Sequence, residues 1–346
     1  MEQGAKSREA RKDRGELMRK KSFGLSLSVL LLAPCFPAEA QQPQKVPRIG
    51  YVSGSGDPKT RTQGIEAFRQ GLRNLGYIEG KNIVVEYRYA EGKVDMFPDL
   101  VAELVQLKVD VLVSPVTPAI RAAKQATKTI PIVMMIPSDP VATGLVDSLA
   151  HPGGNITGVT RLTRNLSGKR LELLKDMVPG VIRVGVLWDA NGEGPKISIK
   201  EYETTAPALK IQLQSIGVRG PNPDLEDAFQ AAAKARAHAI ITIHNSLIGR
   251  YPKRIADLAI KNRLPSMYEG SQYAEAGGLM SYSANDADQF KRAAVYVDKI
   301  LKGAKPGDLP IEQPTKFEFI INLKAAKQIG LTIPPNMLAR ADKIIR

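Results

Sequence analysis

The first run of residues able to do chemistry is GYVSGSGDPKT at 50–60. A dinucleotide-binding turn needs Gly-x-Gly-x-x-Gly, so that the backbone can approach a pyrophosphate. Gly54 and Gly56 fill two of those places, but Lys59 stands in the third. A phosphate-binding loop needs Gly directly before its lysine, and Pro58 stands there. No Gly-x-Ser-x-Gly elbow occurs for a serine nucleophile. The three histidines, His151, His238 and His244, form no His-x-x-x-His pair, and Cys35 is the single cysteine. No carboxylates stand at metal-ligand spacing. These patterns favour a protein that is not an enzyme and that takes no cofactor and no metal.

What remains is a set of short polar loops, each directly after an apolar run. Ser53, Gly54 and Ser55 follow the first run; Ser114, Val116 and Thr117 follow another; Ser138 and Asp139 a third. Further along come Asp189, Asn191 and Glu193, then His244, Asn245 and Ser246, then Tyr268 and Glu269, then Tyr282, Ser283 and Asn285. Hydroxyls and unpaired N–H groups at helix starts suit a carboxylate or another anion. The same residue types also serve as ordinary helix caps. The binding reading rests on two separate groups of such loops.

The elements that would position them alternate along the chain. RIGYVS (48–53) reads as a buried strand, followed by Ile65, Phe68, Leu72 and Leu75 at helical spacing. IVVEYRY (83–89), VDVLVS (109–114), PIVMMI (131–136) and ITGVT (156–160) are further strands. Helices are expected over Met96–Leu107, up to about Lys128, and over 141–150. The pattern then restarts with VGVLWD (184–189), LQSIGV (213–218), AIITIH (239–244), PSMY (265–268) and GLMSYS (278–283). A helix over 286–302, a strand KFEFIIN (316–322) and a helix over 335–345 close the series. Continuous apolar strands between amphipathic helices imply parallel sheets covered on both faces. Two such series imply an α/β protein of two Rossmann-like lobes, with ligand at the carboxyl ends of the strands.

The N-terminus has the three parts of a cleaved secretory signal. Arg19, Lys20 and Lys21 precede FGLSLSVLLLA (23–33), which is too short to span a bilayer, and then comes Ala38-Glu39-Ala40. Cleavage is expected after Ala40, with Met18 as an alternative start and lipidation at Cys35 as a competing outcome. Residues 1–40 carry eight of the Lys and Arg and five of the Asp and Glu, so their removal lowers the net charge from +14 to +11. The remaining cations, such as Arg121, Lys124 and Lys128, are scattered, with no aromatic interleaving. That pattern argues against nucleic acid.

Several stretches together resemble a known family. PRIGYVS, FRQGLRNLGYIEGKNIVVEYRYAEG, SDPVATGLVDSLAHPGGNITGVT, GLMSYSAND and PGDLPIEQPTKFEFIIN with GLTIPP are similar to the ABC-transporter substrate-binding proteins of the tryptophan/tyrosine-binding type. The resemblance implies a hinged periplasmic-binding-protein type I fold. The N-terminal lobe would hold 47–160 plus 285–312, and the C-terminal lobe 161–284 plus 313–346. It implies an extracytoplasmic receptor of an ABC importer, located in the periplasm and acting as a monomer beside permease and ATPase subunits. The alternative is a ligand-binding component of a sensory system. The ligand would be small and amino-acid-like, or otherwise carboxylate-bearing. Its contacts would come from Ser53, Gly54, Ser55, Ser114, Val116, Thr117, Asp139, Asn191, His244, Asn245, Ser246, Glu269 and Tyr282. The second-lobe partner of a ligand amine stays open among Asp189, Glu193 and Glu269, while Trp188 and Tyr282 are candidates for stacking.

Overall fold

The computed structural model describes residues 45–54, 62–135, 139–161 and 166–346. The signal-like segment and Ser55 and Ser138 lie outside the described residues. Residues 46–346 form one compact unit built on two sheets. The first has five strands in the order β2-β1-β3-β4-β5: β1 (Arg48–Ser53), β2 (Val84–Tyr89), β3 (Val111–Ser114), β4 (Ile132–Met134) and β5 (Ile156–Gly158). All its pairings are parallel. Helices cover both faces, which explains the unbroken apolar strands. Helix α1 (Gln63–Asn74) lies on one side; α2 (Phe97–Gln106) and α3 (Thr117–Ala126) lie on the other.

The chain continues through α4 (Ser167–Met177), β6 (Arg183–Asp189), α5 (Glu193–Thr205), β7 (Gln212–Val218), α6 (Leu225–Lys234) and β8 (Ala239–Thr242). Then come α7 (Pro252–Lys261), β9 (Ser266–Tyr268), α8 (Ser271–Glu275), β10 (Met280–Ala284) and α9 (Asp286–Leu301). The last elements are β11 (Phe317–Asn322), α10 (Leu323–Ile329), α11 (Pro335–Arg340) and β12 (Lys343–Ile345). The second sheet runs β12-β11-β10-β9-β8-β6-β7.

Helix α9 leaves the second sheet and packs against α1 of the first. Phe290, Ala293, Ala294 and Val297 join Ile65, Phe68 and Leu72 in one buried cluster. Tyr77, just beyond α1, donates its hydroxyl to Asp298 at 2.9 Å. The chain then passes the edge of β5, where Thr157 Oγ1 donates to the Leu309 carbonyl at 2.7 Å and Val159 bridges Glu312. From there β11 returns to the second sheet. The segments between the sheets are tied to one another. Arg161 Nε donates to Asp286 at 3.0 Å, and Asn285 Nδ2 donates to Glu318 at 3.0 Å.

Three expectations are corrected. Residues 141–150 form turns, not a helix. The Asp139 carboxylate accepts from the Val141 and Ala142 N–H groups, as at a helix start. Gly144 then adopts a left-handed φ of 67° and ends the first turn. Residues 335–345 do not form one helix, because α11 stops at Arg340. Asp342 exchanges hydrogen bonds with the Phe319 backbone, and Ile344 pairs with Ile321. A vacant sheet edge captures this short apolar end. The second sheet is also not wholly parallel, since β11 runs antiparallel to β10. The chain enters β11 at the end where β10 finished, with Phe317 opposite Ala284, after its passage past the first sheet.

Gly158 explains one glycine of the HPGGNITGV stretch. Its φ is 132°, and a Cβ there would sit 2.1 Å from the Met134 carbonyl oxygen. No other residue would let β5 pair with β4 at this point.

Candidate functional site

A cleft of about 1130 Å³ lies between the carboxyl ends of the two sheets. Parallel sheets leave their ligand sites at this end. On the first-sheet side Ser53 ends β1, and Val116 and Thr117 open α3. Tyr51, Phe97 and Phe290 make the apolar part of that wall. No side chain caps α3, and Pro118 in its first turn carries no N–H. The start of α3 therefore presents backbone donors and a partial positive charge to the cleft.

The second-sheet wall is more polar. Asp189 ends β6, 8 % exposed, and lines the cleft. One carboxylate oxygen accepts the Asn191 N–H at 3.0 Å; the other accepts the Asn245 side-chain amide at 2.6 Å. Asn245 in turn caps the following turn through the Ile248 N–H at 2.9 Å. Both of these partners of Asp189 are neutral. Of the other cleft carboxylates, Asp286, Glu193 and Glu275 are paired with Arg161, Arg121 and Lys343, and the half-buried Glu318 accepts from the Asn285 amide.

His244 follows β8 and is held by its Nδ1, which lies 3.0 Å from the Tyr273 hydroxyl and 3.1 Å from Gln272 Nε2. Burial, with the nearby Arg161 charge adding to it, holds the imidazole well below its usual titration range. His244 is therefore a neutral hydrogen-bonding group at neutral pH. Burial pushes the Asp286 carboxyl above its ordinary value, with the Arg161 guanidinium opposing.

Of the residues singled out from the sequence, Ser53, Val116, Thr117, Asn191, His244, Asn245 and Ser246 line the cleft. Gly54 sits at its edge, where a Cβ would lie 3.6 Å from Ser246 and 3.7 Å from Val116. Ser55 lies outside the described residues. Four others stand apart from the cleft. Ser114 Oγ accepts the Val116 N–H at 3.2 Å and so shapes the loop. Asp139 caps its own turn.

Glu269 is fully buried. Its Oε1 accepts from Arg170 and from the Tyr202 hydroxyl, each at 2.9 Å, and its Oε2 accepts the His244 N–H at 3.1 Å. Tyr282 packs its ring on Phe317 and gives its carbonyl to Arg170 Nε at 2.9 Å. Trp188 donates to Ser215 Oγ at 2.8 Å and packs on the core of the second sheet. Sequence reasoning takes Arg121 for a scattered surface cation and passes over Arg161, Gln272 and Asp286, all of which line the cleft. Arg161, Gln272 and Asp286 are marked only by standing a few residues beyond strand ends, and the partners of all four lie 22 residues or more away.

The family model described as ABC transporter substrate binding protein matches residues 51–345. The chain belongs to that family. Its fold is that of the type I periplasmic binding proteins. A conserved domain protein from Vibrio cholerae O1 biovar El Tor is 30 % identical, with a TM-score of 0.79 over 87 % of this chain and 100 % of its own. An ABC domain from Streptococcus pneumonia, solved in complex with L-Trp, is 25 % identical, with a TM-score of 0.80 over 86 % of this chain and 99 % of its own. The tyrosine-binding protein of Clostridioides difficile (strain R20291) is 25 % identical over 266 residues, covering 77 % of this chain and 76 % of that protein. This substrate-binding family supplies binding proteins, and the cleft just described is where this member offers polar groups from both lobes.

Proposed function

We propose that this substrate-binding protein is the extracytoplasmic receptor of an ABC importer and captures an amino-acid-like solute in the cleft. Its lobes, 47–160 plus 285–312 and 161–284 plus 313–346, would close on the solute as a hinged clamp. The observation that carries the ligand class is Asp189. It is a nearly buried carboxylate on the cleft wall whose side-chain and backbone partners are neutral. A buried charge without a counter-charge is costly, and a ligand ammonium would compensate it. The opposite wall offers the Ser53 and Thr117 hydroxyls and the uncapped start of α3, which suit a carboxylate. Cation and anion receptors on facing walls fit a zwitterion better than a simple acid.

Two relatives, one solved in complex with L-Trp and one a tyrosine-binding protein, support this class. Tyr51, Phe97 and Phe290 supply an apolar surface for a side chain. Among the described residues, no helix is long and apolar enough to cross a membrane. The partners of this reading are permease and ATPase subunits in the membrane, and the location is the periplasm, reached by the signal-like N-terminus.

The test is a thermal-shift and calorimetric screen of the purified protein against L-amino acids and their decarboxylated and deaminated analogues. A ligand at 100 times its dissociation constant stabilises the folded form by about 2.7 kcal/mol. Binding of an amino acid, with loss of binding for both analogues, is the expected result. Preference for the deaminated acid would rule out Asp189 as the receptor of a ligand ammonium.

A further inference from the structure

The mouth of the cleft is crossed at two places by contacts that use none of the groups assigned to the ligand. At the first, Arg121 of α3 forms an ion pair with Glu193 in the first turn of α5. The same guanidinium donates to the Thr143 carbonyl at 2.9 Å, which steadies it from the first-lobe side. At the second, Arg250 of the second lobe lies against Gly92 of the first. A Cβ on Gly92 would fall 2.1 Å from Arg250 Nη1, so glycine lets the end of the arginine side chain lie there without shifting. Gly92 donates its N–H to the Gly54 carbonyl at 2.8 Å, and Gly54 itself approaches Ser246. The loops after β1 and β2 thus meet the second lobe as one surface.

We infer that Arg121 and Glu193 form a latch that draws the two lobes together before any solute is bound. Arg121 lies on a helix of the first sheet and Glu193 on a helix of the second. Opening a hinge between the sheets separates them, so whatever the pair contributes acts on the closed arrangement alone. Both side chains are substantially exposed, 37 % and 58 %. The latch is therefore weak and sensitive to salt. A weak latch suits a receptor, because it biases closure without trapping the solute. Solute affinity then depends on two residues of the cleft wall besides Asp189 and the start of α3. The Glu193 carboxylate also sits at a helix start, where the helix dipole favours its charge.

The inference rests on the clamp motion of the proposed receptor and not on its ligand. Small-angle X-ray scattering of the solute-free protein separates the two. Wild type, Arg121→Glu, Glu193→Arg and the double reversal are compared in low salt and in 1 M sodium chloride. Each single reversal is expected to enlarge the radius of gyration. The double reversal is expected to restore it, and high salt to move the wild type toward the single variants. Identical profiles for all four proteins would overturn the latch, as would a double reversal that stays expanded. Melting temperatures confirm that the variants fold. Where a solute is found in the amino-acid screen, each single reversal weakens its binding roughly two- to fivefold. Failure of every solute in that screen, with the scattering as expected, would remove the ligand reading and leave the latch standing.

Discussion

Glu269 Oε1 lies 2.9 Å from Arg170 Nη1, and neither side chain reaches solvent. The pair joins the start of α4 to the end of β9. Its neighbours extend the network to Tyr202 on α5, the Tyr282 carbonyl on β10 and the His244 N–H beyond β8. The second-lobe rim of the cleft is thus held from behind by one buried charge pair. Removing one partner of such a pair strands the other charge, which typically costs about 3–5 kcal/mol.

Glu269→Ala is expected to lower stability by an amount in that range, measured by urea unfolding. The combined change Glu269→Leu with Arg170→Met is expected to recover most of the loss, because it removes both charges and keeps the volume. Recovery of stability without recovery of solute binding would show that the pair also sets the position of His244.

Asp189→Asn keeps the shape of the cleft wall and removes its charge. Hydrogen bonds to charged groups contribute about 1.5–3 kcal/mol. Binding of an amino acid is therefore expected to weaken by roughly 10- to 100-fold in calorimetry. Binding of the matching deaminated acid would change little or improve. Equal effects on both compounds would take Asp189 away from the ammonium.

His244 makes stability depend on pH with a definite sign. Its folded-state value lies well below the ordinary 6.5, first through burial and then through Arg161. As pH falls through 6.5, the unfolded chain takes up a proton that the folded form refuses. Stability is then lost on acidification, approaching about 1.4 kcal/mol per pH unit for one such group. The difference in stability between wild type and His244→Gln, followed from pH 8 to pH 5, should narrow steadily on the acid side. Parallel curves would mean that the imidazole titrates alike in both states.

Gly71 lies where α1 meets α9. A Cβ there would stand 2.8 Å from Ala294 Cβ and 3.0 Å from the Lys291 backbone. Backbone yields less readily than a side chain, so Gly71→Ala should destabilise by about 1–3 kcal/mol. Differential scanning calorimetry would read this as a lower melting temperature. An unchanged or raised value would mean that α9 can shift along α1 without loss.

The alternation of apolar runs with helical stretches is enough to expose both sheets, because a strand covered on both faces needs apolar residues throughout. The strands RIGYVS and VGVLWD are visible for that reason. The end of the chain reads wrongly as helix because KII is too short for its period to distinguish a helix from an edge strand. Pairing with β11 decides it, and that contact is long-range. At the cleft, the polar type of a strand-end residue is legible, but its engagement is not. Glu269 and Asp189 look alike in sequence, each an acid after an apolar run. One is neutralised by Arg170, 99 residues earlier in the chain, and the other faces the cleft with neutral partners. Arg161 and Asp286 form a pair that only the crossing segments bring together, 125 residues apart.

The position of α9 sets an order of events for the newborn chain. The strands of the first sheet are all present once residue 158 has been made, yet α9, which covers one of their faces, ends at Leu301. Tyr77 waits 221 residues for Asp298. The edge strand of the second sheet, Lys343–Ile345, follows every other strand in chain order. The first sheet lacks its cover until α9 has been made, and the second lacks its edge until Lys343–Ile345 has been made. Such distant closures fold slowly, so one face of the first sheet keeps its apolar surface uncovered until α9 arrives.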